Sequence, residues 1–129
     1  MYSNVVEKDV VLVEEEKDSL LSVSLILKFN GYKVTIFKSF NEALEKILAF
    51  EKESSFYELL ITDIPVSRLA NKDLADKRSK LNNKFPIYVI TDFVDKKILK
   101  EHEEKGFYLI EKPLHPQDLL KYINKTFKE

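Results

Sequence analysis

The hydrophobic pattern along the chain switches repeatedly between two kinds of segment. The first kind is a short, continuous, β-branched run: VVLV (10–13), KVTIF (33–37), ELLIT (58–62), IYVIT (87–91) and FYLI (107–110). Short apolar runs with little polar alternation predict strands covered on both faces. The second kind repeats its apolar residues at helical spacing. In DSLLSVSLILKFNG (18–31), Leu20, Leu21, Ser24, Leu25 and Lys28 fall along one side, with Asp18 placed to cap the start and Gly31 to end the helix. The next helix opens with SFNE, where Ser39 and Glu42 stand at capping-box spacing, followed by Ala43, Leu44, Ile47 and Leu48 as its apolar positions. Residues 95–105 predict a polar helix stopped by Gly106. Residues 116–127 predict a last helix with Pro116 in its first turn and a buried stripe of Leu119, Leu120, Ile123 and Phe127. The stretch LANKDLADKRSKLN (69–82) offers a core only Leu69, Leu74 and Leu81, with Ala70 and Ala75 as small extras, and predicts a short, loosely held helix or a mobile loop.

The resulting order, β-α-β-α-β-(α)-β-α-β-α, predicts an α/β fold. Its centre is a doubly wound parallel sheet with helices on both faces and right-handed crossovers. The 129 residues fit one domain, expected over 9–129 behind an N-terminal arm of residues 1–8. Charge changes this picture little: the net value is −1 with Lys and Glu interleaved, so nothing predicts nucleic-acid binding by this domain. Cysteine is absent, which removes disulfides and thiolate metal sites and fits a reducing cytoplasm. No signal segment and no apolar stretch of membrane-spanning length is visible, so the expected location is cytoplasmic, with no membrane partner. The chain ends with its last helix, so no output domain is expected within it.

In open parallel sheets, ligands bind beyond the carboxyl ends of the strands, where the strand order reverses. The residues that follow each strand are therefore the candidates. Glu14, Glu15 and Glu16 follow the first, and Asp63 follows the third. Thr91 ends the fourth and is followed by Asp92. Glu111-Lys112-Pro113 follow the fifth. One edge of the sheet thus collects a carboxylate cluster, a hydroxyl and a lysine. Carboxylates of this kind suit a hard cation such as Mg²⁺, and the lysine and threonine are suited to hold an anion beside it. An aspartate in this setting is a plausible phosphoryl acceptor.

These residues, in this order, resemble the receiver domain of bacterial response regulators, a CheY-like (flavodoxin-like) fold, over residues 9–127. The family's sequence of acidic pair, acceptor Asp, Thr or Ser, and Lys-Pro is matched by Glu14-Glu15, Asp63, Thr91 and Lys112-Pro113. The resemblance implies five strands in the order 2-1-3-4-5. It also implies that Asp63 takes a phosphoryl group from a histidine kinase or phosphotransfer protein. Mg²⁺ would be held by Asp63, by Glu15 with or without Glu14, and by the backbone carbonyl of Pro65. Lys112 would pair with Asp63 and then with the phosphoryl group, across a cis Lys112-Pro113 bond. Thr91 would carry the switch to a downstream partner through a surface near residues 92–122. Such a domain assists its own phosphorylation and dephosphorylation but is not a turnover enzyme.

The sequence departs from the family pattern in several places. Both members of the acidic pair are Glu, each one methylene longer than Asp. Because Mg²⁺ demands near-ideal octahedral geometry, this predicts weak binding. Ser67 stands where the family has Pro, Ala70-Asn71 where it has Asp-Gly, Asp92 where a small residue follows the Thr, and Leu109, beside Tyr108, where an aromatic precedes the Lys. A pseudo-receiver, which keeps the fold as a phosphorylation-independent interaction module, is therefore the alternative reading. Other classes fit less well. A dehalogenase-type phosphatase needs a second Asp where Pro65 stands, a flavodoxin-type phosphate loop does not suit EEEKDS, and two glycines cannot make a P-loop. His102 and His115 are expected at the surface, and Phe107 and Tyr108 as packing residues.

Overall fold

A computed structural model of the chain describes residues 9–51, 57–81, 85–92 and 95–127. The expected arm, residues 1–8, and Asn82, the last residue of the stretch 69–82, lie outside the described residues. The strands are β1 (Asp9–Val13), β2 (Lys33–Phe37), β3 (Tyr57–Thr62), β4 (Ile87–Thr91) and β5 (Phe107–Glu111). The helices are α1 (Leu21–Phe29), α2 (Phe40–Glu51), α3 (Lys72–Lys80), α4 (Lys96–Glu104) and α5 (Pro116–Phe127). A 3₁₀ turn, Val66–Ala70, precedes α3. All strand pairs are parallel, and the order is β2-β1-β3-β4-β5. The doubly wound fold and its strand order are those expected from the sequence.

The pleat sends alternate residues of each strand to opposite faces. Val11, Val13, Leu60, Ile87, Val89, Phe107 and Leu109 pack with Phe40, Ala43, Leu44 and Ile47 of α2 and Leu74 of α3. Val10, Leu12, Leu59, Ile61, Tyr88, Ile90 and Ile110 pack with Leu20, Val23 and Leu27 of α1 and Leu119 and Ile123 of α5. Each fully buried Leu, Ile, Val or Phe contributes about 1.5–3 kcal/mol of transfer free energy, so these two layers dominate the fold's stability. They hold the strand ends, and the side chains that follow them, in register.

Several local expectations are corrected. Neither KVTIF nor FYLI is covered on both faces: β2 and β5 are edge strands, with Ile36 42% and Tyr108 40% exposed. The buried stripe of α1 is Leu20, Val23, Ser24 and Leu27, whereas Leu21, Leu25 and Lys28 face outward. The cause lies before the helix. Leu20 N–H donates to the Glu14 carboxylate at 3.0 Å, which fixes Leu20 inward, and residues three and four positions on follow it. The N-cap of α1 is Leu20, with no side-chain cap bond among the described residues, and Asp18 sits at φ 62° in the turn before it. Gly31, at φ 87°, does end α1: its N–H bonds Lys28 O and that of Tyr32 bonds Leu27 O, a Schellman closure. Ser39 Oγ accepts from Glu42 N–H, one half of the expected capping box.

Residues 72–80 form a regular helix, capped by Asn71 Oδ1 on Leu74 N–H, and Ala75 is exposed. What anchors it, besides Leu69, Leu74 and Leu81, is Arg78. This residue is 5% exposed, and its Nη2 donates to Phe85 O at 2.9 Å and Gly106 O at 3.4 Å. In α5, Leu119 and Ile123 are buried and Leu120 is half-buried, while the Phe127 side chain lies outside the described residues. His102 is half-buried rather than exposed. Burial lowers its pKa below the ordinary histidine value, helped by Lys105 and opposed by Glu101. No helix among the described residues is long and apolar enough to cross a membrane.

Candidate functional site

The strand order reverses between β1 and β3, and the carboxyl ends of both open on the same edge of the sheet. Leu59, Leu60 and Ile61 are fully buried on the two faces of β3, so the strand drives directly out of the core at Asp63. What meets that acid is Lys112. Its Nζ lies 3.1 Å from Asp63 Oδ1 and 3.8 Å from Asp92 Oδ1. The main chain delivers the lysine: β5 pairs with β4 to its end, and Lys112 N–H continues the ladder onto Thr91 O at 2.8 Å. The Lys112-Pro113 peptide is cis. The hydrogen bond to Asp63 holds the ammonium pKa above the ordinary lysine value; partial burial opposes this, and the charges of Asp63, Asp92 and Glu16 add to it. Lys112 is therefore a fixed cation at neutral pH.

Thr91 ends β4 and is buried, on the strand next to that bearing Asp63. Asp92, one residue on, is 93% exposed at its side chain. It does not cap the following helix; Asp95 does, accepting Ile98 N–H at 2.8 Å. An open cavity bordered by Ser19, Leu20, Asp63, Asp92, Lys112 and Pro113 leaves room beside the Asp63 carboxylate.

The glutamates behave differently. Glu14 is 6% exposed, and its carboxylate is turned to Leu20 N–H at the entry to α1. Glu15 Oε2 accepts Phe40 N–H at the start of α2, at 3.2 Å, while its Oε1 is bonded by Arg68 Nη1. Pro65 O accepts Arg68 N–H at 3.0 Å. Of the expected metal donors, Glu15 is thus engaged by the Arg68 guanidinium and Glu14 by the Leu20 N–H that precedes α1, while the Pro65 carbonyl closes the 3₁₀ turn and keeps a second lone pair. Among the described residues, no three His, Cys, Asp or Glu side chains gather as a metal-holding group. As placed, the glutamate oxygens face protein donors rather than one another. Arg68 is the residue the sequence reading missed. The available signal was its place five residues after Asp63, where a long cation reaches the acidic pair.

Comparison with known proteins agrees with this fold. A model of the response regulator receiver domain matches residues 10–124. The chain resembles a CheY-like response regulator receiver domain from Methanospirillum hungatei JF-1, with 27% identity, a TM-score of 0.70 and 93% of each chain covered. It also has the fold of a receiver domain from Clostridium thermocellum, at 21% identity and TM-score 0.73, covering 92% of this chain and 93% of that one. A response regulator from Thermotoga maritima is similar at 18% identity and TM-score 0.69, covering 96% and 100%. No curated protein matches the chain.

Proposed function

Because the chain belongs to the response regulator receiver family, we propose that it is a phosphorylation-controlled switch whose acceptor is Asp63. The observation that carries this reading is the Lys112–Asp63 pair at 3.1 Å, set at the topological switch point beside an open cavity. A carboxylate oxygen of Asp63 attacks the phosphorus of a phosphohistidine on a histidine kinase or phosphotransfer protein. The new O–P bond forms as the P–N bond breaks, and the imidazole leaves and takes up a proton. Lys112 neutralises charge on the phosphoryl oxygens as they arrive, which is where preorganised cations act most strongly. The Thr91 hydroxyl, on the neighbouring strand, turns toward the phosphoryl group. Water later cleaves the acyl phosphate, releasing phosphate and regenerating the carboxylate. The domain is a switch rather than a turnover enzyme. Its readout face is β5 with α4 and α5, where Tyr108 and Tyr122 are 40% and 43% exposed and both rings pack against Tyr88.

Incubation with acetyl phosphate, in Mg²⁺ and in EDTA, tests this by intact mass. The native chain is expected to gain one phosphoryl group and Asp63→Asn none. An adduct that survives the substitution places the acceptor elsewhere. The engagement of Glu15 by Arg68 favours a second reading, a pseudo-receiver that binds partners without phosphate; absence of any adduct supports it.

Asp92 makes the reading more specific. Its carboxylate shares Lys112 and adds negative charge beside the incoming group. For an exposed pair of like charges about 4–5 Å apart, the cost is about 1 kcal/mol in water, a factor of about five in rate. Asp92→Ala is expected to phosphorylate about three- to fivefold faster at low salt, the gain shrinking once the Debye length falls to about 10 Å near 0.1 M. Equal rates for variant and native chain at low salt contradict this role.

A further inference from the structure

We propose that Arg68 is a built-in counter-cation of the acidic basin, occupying with its own guanidinium the place at Glu15 where a divalent ion would bind. The inference rests on reading Glu14, Glu15 and Asp63 as a receiver's acidic basin. It accounts for Glu rather than a shorter acid at position 15: its longer side chain reaches both Phe40 N–H and Arg68.

Three observations converge on one residue. Arg68 bonds Glu15 Oε1 through Nη1, and its main-chain N–H closes the 3₁₀ turn on Pro65 O, which holds the side chain over the basin. The ion pair is partly screened from water, with 39% of the Arg68 side chain and 28% of the Glu15 side chain exposed. Arginine holds its charge at every accessible pH and offers a planar fork of donors, which suits a carboxylate better than lysine does. Meanwhile Glu14, committed to Leu20 N–H inside the fold, cannot replace Glu15 as a ligand without exposing the start of α1. A divalent ion entering the basin must therefore displace a tethered cation that is already there. The displacement is sterically feasible. Arg68 also borders an open cavity with Asn41, Ser67 and Asn71, so the guanidinium can leave Glu15 while the 3₁₀ turn stays in place.

The consequence is a receiver whose basin is neutralised by its own chain, with divalent-ion binding gated by the position of Arg68. Removing the guanidinium unmasks Glu15, and attraction between the freed carboxylate and the ion is no longer opposed by a neighbouring positive charge.

Mg²⁺ titration followed by the amide shifts of residues 14, 15, 63 and 65 tests this without any phosphate donor. Arg68→Ala and Arg68→Gln, the second keeping much of the side chain's length, are both expected to bind Mg²⁺ at least about tenfold more tightly than the native chain, on the scale of removing one adjacent like charge. Adding Glu15→Gln to either variant should abolish the gain. The proposal is overturned if the native chain and both variants bind with equal affinity, or if the gain persists without the Glu15 carboxylate. The phosphoacceptor reading fails separately. An Asp63 that takes no phosphate while Arg68→Gln binds Mg²⁺ tightly leaves this inference standing, and an Asp63 that is phosphorylated while the affinities stay equal sinks this inference alone.

Discussion

Gly106→Ala is expected to melt on the order of 10 °C below the native chain, a large fall for a domain of this size. Two costs add. Gly106 has φ 90°, where an L side chain costs about 1–2 kcal/mol. An added Cβ would also lie 2.8 Å from Arg78 Nε and 2.9 Å from Arg78 Cζ, and closer still to Nη2. An exposed arginine would swing aside, but Arg78 is buried, and its Nη2 bonds Phe85 O and Gly106 O, tying α3 to the segments that enter β4 and β5. Pushing it off those carbonyls leaves buried polar groups without partners, at about 1–3 kcal/mol. Gly31 is the internal control. It has nearly the same φ, 87°, but nothing lies within 4 Å of its added Cβ. Gly31→Ala should therefore lose only the backbone cost, about 1–2 kcal/mol. Equal melting of the two variants in a thermal scan would show that Arg78 yields freely and does not anchor α3.

Lys112→Met is expected to lower the rate of Asp63 phosphorylation about 10²-fold while leaving the fold intact. The stability cost is small because the Lys112 side chain is 42% exposed and a half-exposed ion pair contributes only about 0–1 kcal/mol. The chemical cost is larger because charge builds on the phosphoryl oxygens in the transition state, and Lys112 is the cation already placed beside the acceptor at 3.1 Å. Its hydrogen bond to Asp63 keeps it protonated, so its charge is available across the neutral range. Thermal melting and phosphorylation kinetics on the same sample separate the two effects. A variant that melts like the native chain and phosphorylates at the native rate contradicts the role given to Lys112.

These effects fall unevenly between what the sequence made legible and what it hid. The five apolar runs announced the strands because a parallel sheet covered on both faces demands continuous β-branched sequence, and Val10–Val13 and Leu59–Ile61 are fully buried. KVTIF and FYLI looked the same, yet they lie at the two sheet edges. Strand order is a property of the crossovers and not of the run itself. The helix in 18–31 was legible as a helix, but its buried side was not, because Leu20 is fixed by a long-range bond from Glu14 that no periodicity reveals. Residues 69–82 looked weak because apolar residues are few there. The missing anchor is Arg78, a charged side chain that composition assigns to solvent and that the fold buries against two carbonyls.

The same division runs through the site. Asp63, Thr91 and Lys112 were legible because each directly follows or ends a strand, so the backbone alone carries them to one edge. The structure brings Lys112 onto Asp63 and places Thr91 at the end of the next strand. Glu14 and Glu15 also follow a strand, but where a carboxylate points depends on which partners surround it. Here those partners are Leu20 N–H, Phe40 N–H and Arg68. Asp92 was legible as an oddity; its competition with Asp63 for Lys112 became visible only once the loops were placed.

The residue that carries the phosphate decides most directly whether Asp63 is the acceptor. Borohydride reduces an acyl phosphate on aspartate to homoserine, and fragment masses then locate the modified residue. After incubation with acetyl phosphate, homoserine is expected at position 63 and not at position 92, and Glu14 and Glu15 are expected to show no 5-hydroxynorvaline, the product a glutamyl phosphate would give. Homoserine at any aspartate other than Asp63, 5-hydroxynorvaline at a glutamate, or an unmodified Asp63 in a chain that carries phosphate, would contradict the assignment of Asp63 as the acceptor.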